Sequence, residues 1–116
     1  MKFLCLAYGS EEDWNALSED EQNALLAQDE VIRQRGGLVA AVGLEVTTVR
    51  AWDGTPVTSK EPSQKQKPPL AGFGIVEAAD LNEAIALVAH TPCARAKGAV
   101  EIRPITIMNA ANIEEQ

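Results

Sequence analysis

The chain has 116 residues, 46% of them hydrophobic, with two Trp, one Tyr and two Phe as its aromatics, which fits one small domain with a sufficient but not generous core. A formal charge of −7 argues against the basic stripe that nucleic-acid contact requires. No apolar run approaches the roughly 18 residues that span a bilayer, so neither nucleic acid nor membrane is an expected partner.

Lys2 to Tyr8 is mostly apolar and bounded by Gly9-Ser10, the pattern of a central strand. Its apolar run, Phe3 to Ala7, is too short for a signal-peptide core and is followed by acids, so a reducing cytoplasmic setting with free thiols at Cys5 and Cys93 is expected. Residues 11–30 hold eight carboxylates and no Lys or Arg, which reads as a solvated helix face and, alternatively, as an acidic docking surface. Ser18-Glu-Asp-Glu21 forms a capping box that opens a helix to about Arg35. Leu25 and Ile32, flanked by Ala24, Leu26 and Val31, supply its apolar stripe. Asp29 and Arg33 stand one turn apart as an exposed pair. Gly36-Gly37 supplies the left-handed stop.

Leu38 to Leu44 and Val46 to Trp52 are β-like runs, either two strands or one strand bent at Gly43. Asp53-Gly54 signals a tight turn, with Thr55 to Thr58 returning as a short edge arm. Residues 59–69 offer three lysines, one glutamate and little to bury, the pattern of a surface loop or a lid. Leu70 to Val76 resumes as a strand in which Gly72 and Gly74 predict a close backbone approach on one face. Asp80-Leu-Asn-Glu83 is a second capping box, and its helix is expected to bury Leu81, Ile85 and Val88 and to end at Pro92. Ala99 to Ile107 is the last strand, with Val100 and Ile102 on one face and Glu101 and Arg103 on the other. Residues 109–116 read as a frayed tail after a single domain over 1–108. The order predicts an α+β, ferredoxin-like β-α-β-β-α-β fold with an extra hairpin arm: one antiparallel sheet carrying both helices on one face. The other face has no cover within the chain, and two sheets packed face to face would bury it in a homodimer.

The chain resembles the YCII-related, DGPF-type domain family. The matching pieces are Met1-Lys-Phe-Leu-Cys-Leu6, Val46-Thr-Thr-Val-Arg50 with Asp53-Gly54, Leu70-Ala-Gly-Phe73, Asp80-Leu-Asn-Glu-Ala84 and Val100-Glu-Ile-Arg-Pro-Ile105. The resemblance implies a dimeric α+β barrel. The name-giving D-G-P-F is missing, because Val57-Thr58 is followed by Ser59-Lys60-Glu61-Pro62. No equivalent can be placed for the His–Asp pair of the better-known branch of the superfamily.

His90 is the one histidine and a candidate general base, set against a structural role at a helix C-terminus. Arg103 is the candidate for binding a small anionic ligand, with Arg50 joining it and Glu101 as a candidate acid or base. A Glu101–Arg103 salt bridge is the plainer reading. Tyr8 offers a hydroxyl to the same cleft. Trp14 and Trp52 read as packing residues, Trp14 alternatively as a lid aromatic. Ser10 and Cys93 have no base at readable spacing and are poor nucleophiles. No phosphate loop, zinc spacing or calcium loop occurs, so no metal or cofactor is expected. These readings converge on a homodimeric small-molecule-binding or accessory protein with its cleft at the sheet interface. The alternatives are an enzyme acting on a small anionic or polar molecule and an interaction module using the acidic helix.

Overall fold

The computed structural model describes residues 1–65, 67–109 and 111–112. A four-stranded sheet forms its centre, built from β1 (Lys2–Tyr8), β2 (Leu38–Ala41), β5 (Leu70–Glu77) and β6 (Ala99–Pro104) in the order β2-β5-β1-β6. Every pairing is antiparallel, and the order is that of a ferredoxin-like fold. A short helix α1 (Glu11–Asn15) and a long one, α2 (Glu19–Gln34), follow β1. Helix α3 (Leu81–Val88) and the single turn α4 (Pro92–Arg95) follow β5. No described helix is long and apolar enough to cross a membrane.

Alternation along the strands decides which residues face the helices. Phe3 and Cys5 on β1 and Gly72, Gly74 and Val76 on β5 are buried, while Leu4, Leu6, Phe73 and Ile75 take the opposite, half-covered face. Register joins Val39, Gly74, Cys5 and Ile102 into one row across the sheet, and Ala41, Gly72, Ala7 and Val100 into the next. The core is Phe3, Cys5, Ile32, Val76, Ala78, Ala84 and Val88, with Val39, Leu87, Val100 and Ile102 packed on it.

The capping box of α2 forms as expected: Glu21 N donates to Ser18 Oγ and Ser18 N to Glu21 Oε1, both at 3.2 Å. Gly36, at φ 89°, stops the helix. The second box forms only in part. Asp80 accepts from Glu83 N at 2.9 Å, but Glu83 Oε1 takes the amide of Ala79, not of Asp80, and also pairs with Arg35 at 2.8 Å. That bond ties the end of α2 to the start of α3.

Four expectations are corrected. Pro92 does not end the second helix. That helix closes at Val88, and Pro92 opens α4 at its first position, where its missing N–H costs nothing. Leu81 and Ile85 are exposed, and the buried stripe of α3 runs instead through Ala84 and Val88. The second β-like run is not part of the main sheet: β3 (Thr48–Arg50) pairs with β4 (Val57–Ser59) in a separate ribbon, leaving Trp52 at its end 91% exposed. Trp52 therefore packs no cross-strand partner. Lastly, β7 (Ile107–Met108) pairs with β8 (Ala111–Asn112), a small ribbon where a frayed tail was expected; residues 110 and 113–116 of that tail lie outside the described residues.

Candidate functional site

Two polar groupings occupy opposite faces of the sheet. On the open face Tyr8 Oη donates to Glu101 Oε1 at 3.3 Å, and Arg103 Nη2 lies 3.6 Å from the same oxygen. Strand register explains the meeting, since Glu101 sits beside Leu6 and Arg103 beside Leu4, two residues apart on one edge strand. All three are accessible, and Glu101 and Arg103 are largely exposed. Burial and the neighbouring carboxylate raise the Tyr8 phenol above its ordinary range.

The structure does not bring Arg50 or His90 to this cluster. Arg50 lies on the separate β3–β4 ribbon, because the chain leaves the sheet after Ala41 and returns only at Leu70. His90 is exposed beyond the end of α3, its Nδ1 3.1 Å from Arg95 Nη1. Since a guanidinium only donates, Nδ1 accepts, and the imidazole is engaged with a surface cation rather than with a pocket.

The helix-facing side holds a cavity of about 800 Å³, partly open to solvent. It exists because its floor lacks side-chain bulk. Ala7, Ala41, Gly72 and Gly74 line it, where larger residues would fill the space between sheet and helices. The two glycines are also required by the pairing itself: a Cβ at Gly72 would run into the Ala40 carbonyl, and one at Gly74 would stand 2.8 Å from the Leu38 carbonyl oxygen. This is the close approach that the Gly-Phe-Gly pattern predicts. Leu26 and Ile32 of α2, Val88 of α3 and Leu44 after β2 supply apolar walls.

Few polar groups reach this space: Ser10, Glu11 and the Trp14 indole from the first connection, Asp29 from α2, and Thr91 and Cys93 around α4. Ser10 Oγ caps α1 by accepting from Asp13 N at 3.0 Å, and Thr91 Oγ1 donates to the Val88 carbonyl at 2.6 Å, so both hydroxyls are committed. Gly9 lets Cys93 lie against the first connection, since a Cβ there would come within 2.9 Å of the thiol sulfur. Burial, and then the charge of Asp29, raise the Cys93 thiol above its ordinary range. Cys5, under the helices, is pushed by burial to about 11. Both cysteines are free.

Asp29 was expected in an exposed pair with Arg33. It is half-buried instead, and Arg33 turns outward to Glu30, with Nη2 to Oε2 at 2.8 Å. Asp29 makes no hydrogen bond or ion pair among the described residues. Desolvation raises its carboxyl above the usual carboxylate range, opposed only in part by Arg33. The sequence did carry a signal for it: Leu25, Asp29 and Ile32 follow helical spacing, so the carboxylate stands inside the buried stripe.

The sheet order and the helices on one face define an α+β, ferredoxin-like domain. The chain belongs to the YCII-related domain family, whose sequence model matches residues 1–109. The solved structure of 5-chloro-2-hydroxyhydroquinone dehydrochlorinase from Burkholderia phenoliruptrix AC1100, in complex with 2,5-dihydroxybenzoquinone, is similar to it. The TM-score is 0.50 at 18% identity over 97% of this chain and 100% of that one. At that identity the likeness shows the fold alone. No curated protein matches the chain.

Proposed function

We propose that this protein is a homodimer that binds a small, mainly apolar molecule in the cavity between its sheet and its helices. The observation that carries the reading is that cavity: about 800 Å³, within the usual range of ligand pockets, walled by aliphatic side chains and holding a few convergent polar groups. This moves the site from the open sheet face, where Tyr8, Glu101 and Arg103 lie, to the opposite side of the sheet. It also changes the ligand. No Lys or Arg is among the described residues lining the cavity, and the two acids there, Asp29 and Glu11, oppose the anionic ligand that Arg103 and Arg50 suggested. The similar dehydrochlorinase holds a compact ring compound, which supports a ligand of that size.

Dimerisation is supported by what the single chain leaves uncovered. Leu4, Leu6, Phe73 and Ile75 form an apolar open face, and Val49, Trp52 and Val57 are exposed on the projecting ribbon. The radius of gyration, 16.1 Å, exceeds the roughly 13 Å of a compact chain this long. On this reading Glu101 and Arg103 are interface residues that hold each other as an ion pair.

A native mass spectrum of the protein as purified tests both parts. The expected species is twice the chain mass, with or without a small adduct that gentle activation releases. A persistent monomer at micromolar concentration overturns the dimer. Failure of any small apolar compound to bind, by calorimetry at millimolar concentration, overturns the ligand site.

A further inference from the structure

The lining of the cavity is chemically one-sided. One carboxylate, Asp29, projects from the buried stripe of α2 into otherwise apolar surroundings, and Glu11 stands at the same cavity from α1. The orientation of Asp29 is fixed rather than incidental. Leu25 and Ile32, on the same face of α2, are buried, and Gln28 Nε2 donates to the Leu87 carbonyl at 2.7 Å, which locks the rotation of α2 against α3. Arg33, the nearest cation along the helix, is held outside by Glu30. Cys93 shares the space as a neutral thiol, so it supplies no compensating charge. The Trp14 ring is the one aromatic on the first connection that reaches the cavity. A half-buried carboxylate without a counter-ion is a destabilising arrangement in an unliganded protein. It becomes favourable once a cation occupies the space beside it.

We propose that Asp29 is the group by which the cavity reads its ligand, and that the ligand is an organic amine: a protonated nitrogen on an apolar frame. The frame fills the space over Ala7 and Gly72, and the ammonium donates to Asp29. Trp14, which lines the same cavity, is placed to add the attraction of an aromatic ring for a cation. A carboxylate or phosphate ligand would meet two acids and no cation. A neutral alcohol would bind through its frame and a single weaker hydrogen bond. The proposal rests on reading the cavity as a ligand site.

The test compares three probes of matched size, 2-phenylethylamine, 2-phenylethanol and 3-phenylpropionate, by titration calorimetry of the whole protein at neutral pH. The amine is expected to bind roughly tenfold or more tighter than the alcohol, the effect of one charge-assisted hydrogen bond, with the acid weakest. Asp29→Asn should bring the amine down to about the level of the alcohol, with the amine losing far more affinity than the alcohol does. Equal binding of amine and alcohol, or a preference for the acid, overturns the amine assignment while leaving the cavity as a ligand site. Binding of none of the three overturns both. The ratio measured on the unmodified protein decides the matter even if the variant fails to fold.

Discussion

Ala7→Leu separates an empty, ligand-ready cavity from a packed core. Ala7 lies on the central strand, facing the helices, with Gly72 beside it on one neighbour and Val100 on the other. A leucine there projects its added carbons over Gly72, which has no side chain to displace. Three added carbons at ~0.8 kcal/mol per buried methylene give a ceiling near 2.4 kcal/mol, and partial burial in an open-sided cavity leaves ~1–2 kcal/mol. For a domain of this size that corresponds to a rise in Tm of about 4–8 °C. The assay is a thermal melt by circular dichroism at fixed protein concentration, beside calorimetric titration of 2-phenylethanol. The expected outcome is a variant that is more stable and no longer binds. A fall of several degrees would mean that the leucine is overpacked, an effect of ~1–3 kcal/mol, and that the space over Gly72 is not free. A stabilised variant that still binds would place the ligand elsewhere.

Two further predictions concern stability. Asp29→Asn should raise Tm at pH 7. The folded-state pKa of Asp29 lies above its ordinary 3.8, so the folded form binds more protons in that window. Ionisation therefore costs stability as pH rises from the unfolded pKa through the folded one, and the cost is fully present above both. The Tm difference between variant and parent should vanish near pH 3, where the carboxyl is neutral in both states; a difference that persists there refutes the desolvation argument. Gly98→Ala should destabilise by ~1–3 kcal/mol in a urea melt, because its Cβ would collide with the Tyr8 carbonyl and come 2.8 Å from the Cys93 carbonyl oxygen. An unchanged midpoint would show that the start of β6 can shift away from β1.

The sheet was legible in the sequence because alternation at Val100 to Arg103, the capping motif at Ser18 and the glycine stop at Gly36-Gly37 are local signals that tertiary packing left intact. The ribbon was less legible. Nothing local tells Thr48–Arg50 to leave the sheet, since its residues favour a strand in either place and only the absence of a neighbouring partner decides. Helix α1 and helix α4 are too short to show a period. Among the candidate residues, Tyr8, Glu101 and Arg103 come together because strand register is readable, whereas Arg50 depended on a pairing that does not form. Asp29 was hidden by a rule that usually holds: a carboxylate four residues before an arginine reads as a surface pair. The stripe through Leu25 and Ile32 outweighs that rule, because burying two large aliphatic side chains contributes several kcal/mol and an exposed ion pair contributes tenths.

The same balance narrows the chemistry this site can support. A cysteine nucleophile needs an appreciable thiolate fraction, obtained from a neighbouring cation or a helix N-terminus. Cys93 has the opposite surroundings: burial and the Asp29 carboxylate both disfavour the thiolate. Cys5 lines the same cavity, but burial pushes its thiol up to about 11, so it too is neutral at physiological pH. Covalent catalysis through sulfur is therefore disfavoured by the cavity that brings Cys93 within reach of a ligand. Asp29 differs in kind. Desolvation moves a carboxyl toward neutrality, the direction that makes it a better proton acceptor. If the cavity performs a reaction, Asp29 is its candidate proton acceptor. An amine bound beside it would restore a low pKa and suppress that role, so tight amine binding and acid–base turnover at this carboxylate are opposed. A site with the amine preference predicted above is a binding site first.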